Sequence, residues 1–184
     1  MPRLFIGIGL PNAYQDRLPS FTNGLKDGLA TKVRWSKPGN WHLTLKFLGE
    51  TDEALIPDIS TALNSIEAPP FTLKAGGVGV FPRVQYPRVI WVGLKQGADE
   101  CAALAGQVEN SLADLGIARE KKQFRPHLTV GRINKPQRDD WNALLEKAGK
   151  YAWPAFSVDR FTLWKSELKP AGAVHTVSGE FLLS

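Results

Sequence analysis

The chain repeats itself at one offset. His42-Leu43-Thr44-Leu45 returns 85 positions later as His127-Leu128-Thr129-Val130. The same offset carries the apolar run from Arg3 to Gly9 onto the run from Arg88 to Leu94, and Phe71-Thr72-Leu73 onto Phe156-Ser157-Val158. Three landmarks in one register mark a divergent internal duplication, which commits both halves to one supersecondary plan. Each half reads strand, helix, His strand, helix, strand. The expected architecture is α+β: two pseudo-symmetric lobes, each an antiparallel or mixed sheet backed by outer helices, with both His strands at a central cleft. No Gly, Ser or Pro linker divides the halves, so residues 1–184 are expected to form a single bilobal domain, with repeat halves 3–80 and 88–165 and a C-terminal strand over 173–183.

Within that plan, residues 3–10 form a buried strand and Pro11-Asn12 starts a helix over roughly 13–29 that buries Leu18, Phe21, Leu25 and Leu29. Pro19 must kink this helix or delay its start. Val33-Arg34-Trp35 is a short extended piece, and Pro38-Gly39-Asn40 turns the chain into the first His strand. That strand alternates with a period of two, so His42 and Thr44 share one face and Leu43, Leu45 and Phe47 the other. A helix from Thr51 and Ala54 to Ile66 ends at Pro69-Pro70. The strand over 71–80 carries Gly76, Gly77 and Gly79, which predict a bulge or a close backbone approach. Residues 81–87 are read as a loop, 88–95 as a strand, and Asp99 to Leu115 as a helix with Leu104, Val108 and Leu112 on one face, stopped by Gly116. After the second His strand come a helix over about 139–148 and strands near 153–165 and 173–183.

Composition narrows the class. The 184 residues are enough to bury a real core, and 43% hydrophobic with 22% charged residues describes a globular protein. A net charge of +5 and a pI near 9.4 favour an anionic substrate. Cys101 is the only cysteine, which rules out an intramolecular disulfide and cysteine-rich metal sites and suits a reducing, cytoplasmic compartment. No apolar run approaches the roughly 20 residues of a membrane span, and Met1-Pro2-Arg3 lacks the pattern of a secretory signal.

The paired motifs carry the chemistry. A pseudo-twofold relation sets two imidazoles on opposite sides of whatever lies between them. In-line displacement at phosphorus needs a base beside the attacking oxygen and an acid beside the leaving one, and histidine fills both roles near neutral pH. Thr44 and Thr129 can hydrogen-bond the non-bridging oxygens as charge builds on them. A zinc site built from His42, His127 and His175 is the competing reading, but no spacing resembles a ligand cluster. No Gly-x-Ser-x-Gly elbow occurs and Cys101 has no neighbouring base, so water is the expected nucleophile.

The two His-x-Thr-x strands resemble the signature of the 2H phosphoesterase superfamily. Leu4-Phe5-Ile6, the run into Phe47-Leu48-Gly49, and Arg125-Pro126-His127 with Arg132 resemble its RNA 2',3'-cyclic phosphodiesterase branch, formerly called 2'-5' RNA ligases. The resemblance implies the bilobal fold and metal-independent opening of a 2',3'-cyclic phosphate to a 2'-phosphate, without a cofactor. It implies His127 as general base and His42 as general acid, although sequence does not decide between symmetric partners. Thr44 and Thr129 would hold the phosphate. Arg132 matches the family's motif arginine, but strict alternation turns it away from His127 unless a bulge at Gly131 brings it round. Phe81 can stack on a base or simply face the core. Trp41, Phe124, Lys46, Arg34, Arg119, Lys121, Lys122 and Arg125 lie near the motifs in sequence and suit a single-stranded RNA end. His175 departs from the family's pattern, where an aromatic is common, and is given no role. The implied partners are RNA with 2',3'-cyclic phosphate ends or small cyclic nucleotides, acted on by a monomer with no obligate protein partner and no membrane. An RNA-end binding module with little turnover, or an enzyme for 2'-5' oligonucleotides or ADP-ribose cyclic phosphate, are the alternatives.

Overall fold

A computed structural model describes residues 1–170 and 172–184. In chain order the elements are β1 (Arg3–Gly9), α1 (Asn12–Gln15), α2 (Leu18–Lys26), β2 (Val33–Trp35), β3 (His42–Glu50), α3 (Ile56–Asn64), β4 (Phe71–Arg83), β5 (Tyr86–Gln96), α4 (Ala98–Ala113), β6 (Leu128–Ile133), α5 (Trp141–Gly149), β7 (Ala155–Val158), β8 (Arg160–Lys169) and β9 (Gly172–Leu182). They build two antiparallel sheets. Sheet one has the order β3-β1-β8-β9 and sheet two the order β2-β6-β5-β4-β7.

The sheets do not coincide with the sequence halves. Sheet one takes β1 and β3 from the first half and β8 and β9 from the second; sheet two takes β5, β6 and β7 from the second half and β2 and β4 from the first. The helices are shared in the same way: α3 and α4 pack together with α4 against β3, while α2 packs on α5 and α5 on β4. Each lobe therefore buries its core only when both halves are present. The apolar positions of β1 (Leu4, Ile6, Ile8), β3 (Leu43, Leu45), β5 (Ile90, Val92) and β6 (Leu128, Val130) are all buried, and His42, Thr44, His127 and Thr129 lie on the opposite faces of their strands.

Four local readings change. The helix over 13–29 is two helices: α1 ends at Gln15, and α2 starts at Leu18 with Pro19 in its first turn, where the missing N–H costs nothing. Leu29 lies beyond its end. Residues 81–87 are a tight hairpin, with only Val84 and Gln85 between strands. Pro82 stands opposite Pro87 within the ladder. The strand over 153–165 breaks at Asp159, because β7 serves sheet two through β4 and β8 serves sheet one through β1. The glycines of β4 do make the expected irregularity: pairing with β5 shifts between Ala75 and Val78, with Gly77 at φ +74°.

The fourth change reaches the site. Pairing of β3 with β1 skips Leu45, a bulge that reverses the alternation beyond it. Lys46 turns inward and is 6% exposed, while Phe47, expected beside Leu43 and Leu45, is 66% exposed. The buried ammonium lies 2.7 Å from both carboxylate oxygens of Glu109 on α4 and donates to the carbonyl of Ala118 at 2.9 Å. Removing one partner of such a pair strands the other charge, at a cost of about 3 kcal/mol. Lys46→Met is therefore expected to lower unfolding stability by about that amount, and the double variant with Glu109→Leu to recover much of it. Urea melts of the three proteins check this.

Candidate active site

The two histidines are set by the same local device. His42 Nδ1 lies 2.7 Å from the carbonyl oxygen of Asn40, and His127 Nδ1 lies 2.6 Å from that of Arg125, two residues back in each case. A carbonyl can only accept, so Nδ1 carries the proton and Nε2 is left for other work. The relation recurs at the 85-residue offset, as does the bulge: pairing of β6 with β5 skips Val130, the counterpart of Leu45. Arg132 is thereby brought to the face of His127 and Thr129, by a bulge one residue earlier than Gly131. The residue that the first lobe presents at the equivalent place is Phe47.

Each imidazole rests on an aromatic floor. Under His42 lie Phe5, stacked with its centroid at 4.5 Å, and Trp164 at 5.6 Å. Beside His127 lie Phe81 at 5.1 Å and Trp91 at 6.5 Å, both edge to face. Gly79 makes room for this second floor, since a Cβ there would stand 2.2 Å from the Trp91 ring. Phe81 is half-buried in this packing and contacts Trp91 at 5.1 Å. Phe5, Trp91 and Trp164 were hidden in sequence because they read as ordinary strand aromatics.

His175 is the larger surprise. On β9 it stands 5.3 Å from His42 and 4.9 Å from Phe5, edge-on to both rings. With the 4.5 Å stack these distances close a near-equilateral triangle, so His175 lies beside the stack and not on top of it. Its Nδ1 is buried and has no hydrogen-bond partner among the described residues. The offset maps it onto Ile90 of β5, an apolar position, so the repeat gave no sign of a histidine there.

Burial pushes the pKa of His42 down to about 4, against the Asn40 hydrogen bond that favours the cation, and His175 and Arg132 lower it further. His127 is lowered too, by burial first and then by Arg132. One arginine thus disfavours the cationic form of both imidazoles. The carbonyl of Thr129 joins the two sheets: Trp41 Nε1, at the entry to β3, donates to it at 3.0 Å, beside Ser36 Oγ at the end of β2, which donates at 2.8 Å. Trp41, 2% exposed, is therefore a core residue and not an RNA contact, and Lys46 is turned away onto Glu109. Phe124 packs on the core and Arg119 donates to Asn110; Arg34, Lys121, Lys122 and Arg125 are exposed. Thr44 and Thr129 are half-buried on the histidine faces. Among the described residues no group of three His, Cys, Asp or Glu side chains could hold a metal ion, and no helix is long and apolar enough to cross a membrane.

A neutral imidazole and a hydroxyl from each lobe, with one shared guanidinium, can move protons on two sides of a phosphate and hold its charge between them. Fold and site together define a phosphoesterase of the two-histidine kind. The family described as LigT like Phosphoesterase matches the chain twice, over residues 8–91 and 92–175. Among curated relatives, an RNA 2',3'-cyclic phosphodiesterase of Aquifex aeolicus is 37% identical over 82% of this chain and 81% of its own length. One of Methanocaldococcus jannaschii is 30% identical over 97% and 99%. Of solved structures, E. coli LigT complexed with 3'-AMP superposes with a TM-score of 0.81 at 25% identity, covering 100% of this chain and 99% of that one. A Thermus thermophilus protein gives 0.78 at 29%, covering 98% and 97%. The chain belongs to the LigT-like phosphoesterase family.

A positive charge on His175 disfavours one on His42. His175→Gln is therefore expected to raise the titration midpoint of His42 while leaving that of His127 in place. The chain has three histidines, so NMR titration of their labelled ring carbons resolves each one.

Proposed function

We propose that the protein is an RNA 2',3'-cyclic phosphodiesterase that needs no metal ion and opens the cyclic phosphate to a 2'-phosphate. The observation that carries this reading is the pair of Nδ1-anchored histidines, one from each lobe, that share Arg132. Water attacks phosphorus on the side away from O3' and loses its proton to His127. The P–O3' bond breaks, and His42 gives its proton to O3'. Thr44, Thr129 and Arg132 hold the non-bridging oxygens as their charge grows. Both imidazoles are neutral at pH 7 in the free site, so the proton on His42 comes with the anionic substrate, whose charge favours the imidazolium. With a 5'-hydroxyl in place of water as the nucleophile, the same displacement breaks the P–O3' bond and leaves a 2'-5' linkage. The curated relatives' names support RNA as the substrate, and the exposed ring of Phe47 beside Phe5 offers a base a face to stack on, more open than that of Phe81. The protein acts as a single bilobal unit, monomeric and cytoplasmic.

The reaction requires one neutral and one protonated imidazole, so its rate peaks between their two pKa values whichever residue holds which role. Both values lie below the ordinary 6.5. The kcat/KM profile for a nucleoside 2',3'-cyclic phosphate is therefore expected to be a bell centred below pH 6.5, with the kcat profile displaced upward by the bound anion. A profile flat from pH 5 to 9 with chemistry rate-limiting would contradict the two-histidine mechanism.

His42→Ala and His127→Ala are each expected to lower kcat by about 10²–10⁴, and excess EDTA to leave the unaltered enzyme's rate unchanged. A substrate with sulfur in place of O3' has a leaving group that needs no proton. It is expected to rescue His42→Ala and not His127→Ala; rescue of the other variant would exchange the two roles.

A further inference from the structure

Arg34, the middle residue of the edge strand β2, stands directly opposite Arg132 of β6. Opposed residues of an antiparallel pair project from one face with Cβ atoms about 5 Å apart. The neighbours identify the face: Val33 and Trp35 pack against the core and Ile133 is buried, while Arg34 and Arg132 are both exposed. Arg132 has been turned to the cleft by the bulge at Val130 and acts on His42 and His127. Arg34 therefore lies on that same face, one strand further out, at the rim of sheet two.

Two like charges set opposite each other on a ladder repel. Among the described residues neither arginine has a carboxylate within 4.0 Å, although seven other ion pairs form. The chain itself leaves the pair uncompensated at the mouth of a site that handles phosphate. Guanidinium groups suit such a place, because their planar fork matches two phosphate oxygens and they stay charged at every working pH.

We infer that Arg34 binds the phosphodiester next to the reacting one, so that the site's substrate class is an RNA strand end and not a free cyclic mononucleotide. This rests on the cyclic phosphodiesterase reading. Arg132 holds the cyclic phosphate between the histidines, and a strand leaving the cleft over the β2 rim carries its next phosphate past Arg34. A mononucleotide has nothing to place there.

The test compares kcat/KM for cytidine 2',3'-cyclic phosphate and for a pentaribonucleotide ending in the same cyclic phosphate, with the unaltered enzyme, Arg34→Gln and Arg34→Lys. Arg34→Gln is expected to lower the pentanucleotide value about tenfold and to leave the mononucleotide value within about twofold, with Arg34→Lys between. The dependence of log kcat/KM on log salt for the pentanucleotide should become shallower by about 0.7, the amount for one phosphate contact on a single strand. Equal losses on both substrates would place Arg34 at the reacting phosphate and overturn the proposal, and no loss on either would make it a solvated side chain. If the unaltered enzyme turned over neither substrate, the phosphodiesterase reading would fall and this proposal with it, an outcome separate from a selective failure of Arg34.

Discussion

Everything in the cleft depends on a short hydrogen bond between each imidazole Nδ1 and the carbonyl two residues before it. It fixes the tautomer, so the nitrogen left for chemistry is Nε2 in both lobes. It also fixes ring orientation, which is what lets Phe5 lie flat against His42 at 4.5 Å and Phe81 meet His127 edge-on at 5.1 Å. The burial that these contacts bring keeps both imidazoles short of protons until an anion arrives. A site built this way couples protonation to substrate binding through one electrostatic term.

The exchange of strands between halves makes each His strand part of a sheet that both halves build. Had each half closed its own sheet, the lobes would meet only through a linker. With β4 in sheet two and β8 and β9 in sheet one, each lobe's core is completed by the other half. The clip from Trp41 and Ser36 to the Thr129 carbonyl ties the loop leading into β3 directly to the second motif. That carbonyl belongs to Thr129, so the contact also fixes the backbone of the second motif. The Lys46–Glu109 pair fastens β3 to α4 on the far side, so the strand that carries His42 is held from both faces.

Much of this was legible in the sequence because it is local or periodic. The repeat at one offset, the His-x-Thr faces and the apolar stripes of the strands follow from side-chain alternation. What could not be read comes from registers that only partner strands reveal. Leu45 and Val130 look like ordinary core positions, yet as bulges they send Lys46 inward and bring Phe47 and Arg132 outward. Arg132 was expected to need such a bulge; Lys46 and Phe47 gave no sign of theirs. His175 lies outside the duplicated landmarks, and its contact with His42 joins the two edge strands of sheet one, β3 and β9, across more than 130 positions of sequence. Proline misled in the opposite sense: Pro82 and Pro87 suggested a loop where they in fact oppose each other across a ladder.

The central claim is that the two lobes act on opposite sides of phosphorus in one displacement by water. The stereochemical course at phosphorus tests it most directly. One diastereomer of a nucleoside 2',3'-cyclic phosphorothioate would be opened in ¹⁸O-water and the configuration of the resulting 2'-thiophosphate determined. A single in-line attack predicts inversion. Retention would require two displacements through a covalent intermediate, and would contradict the account.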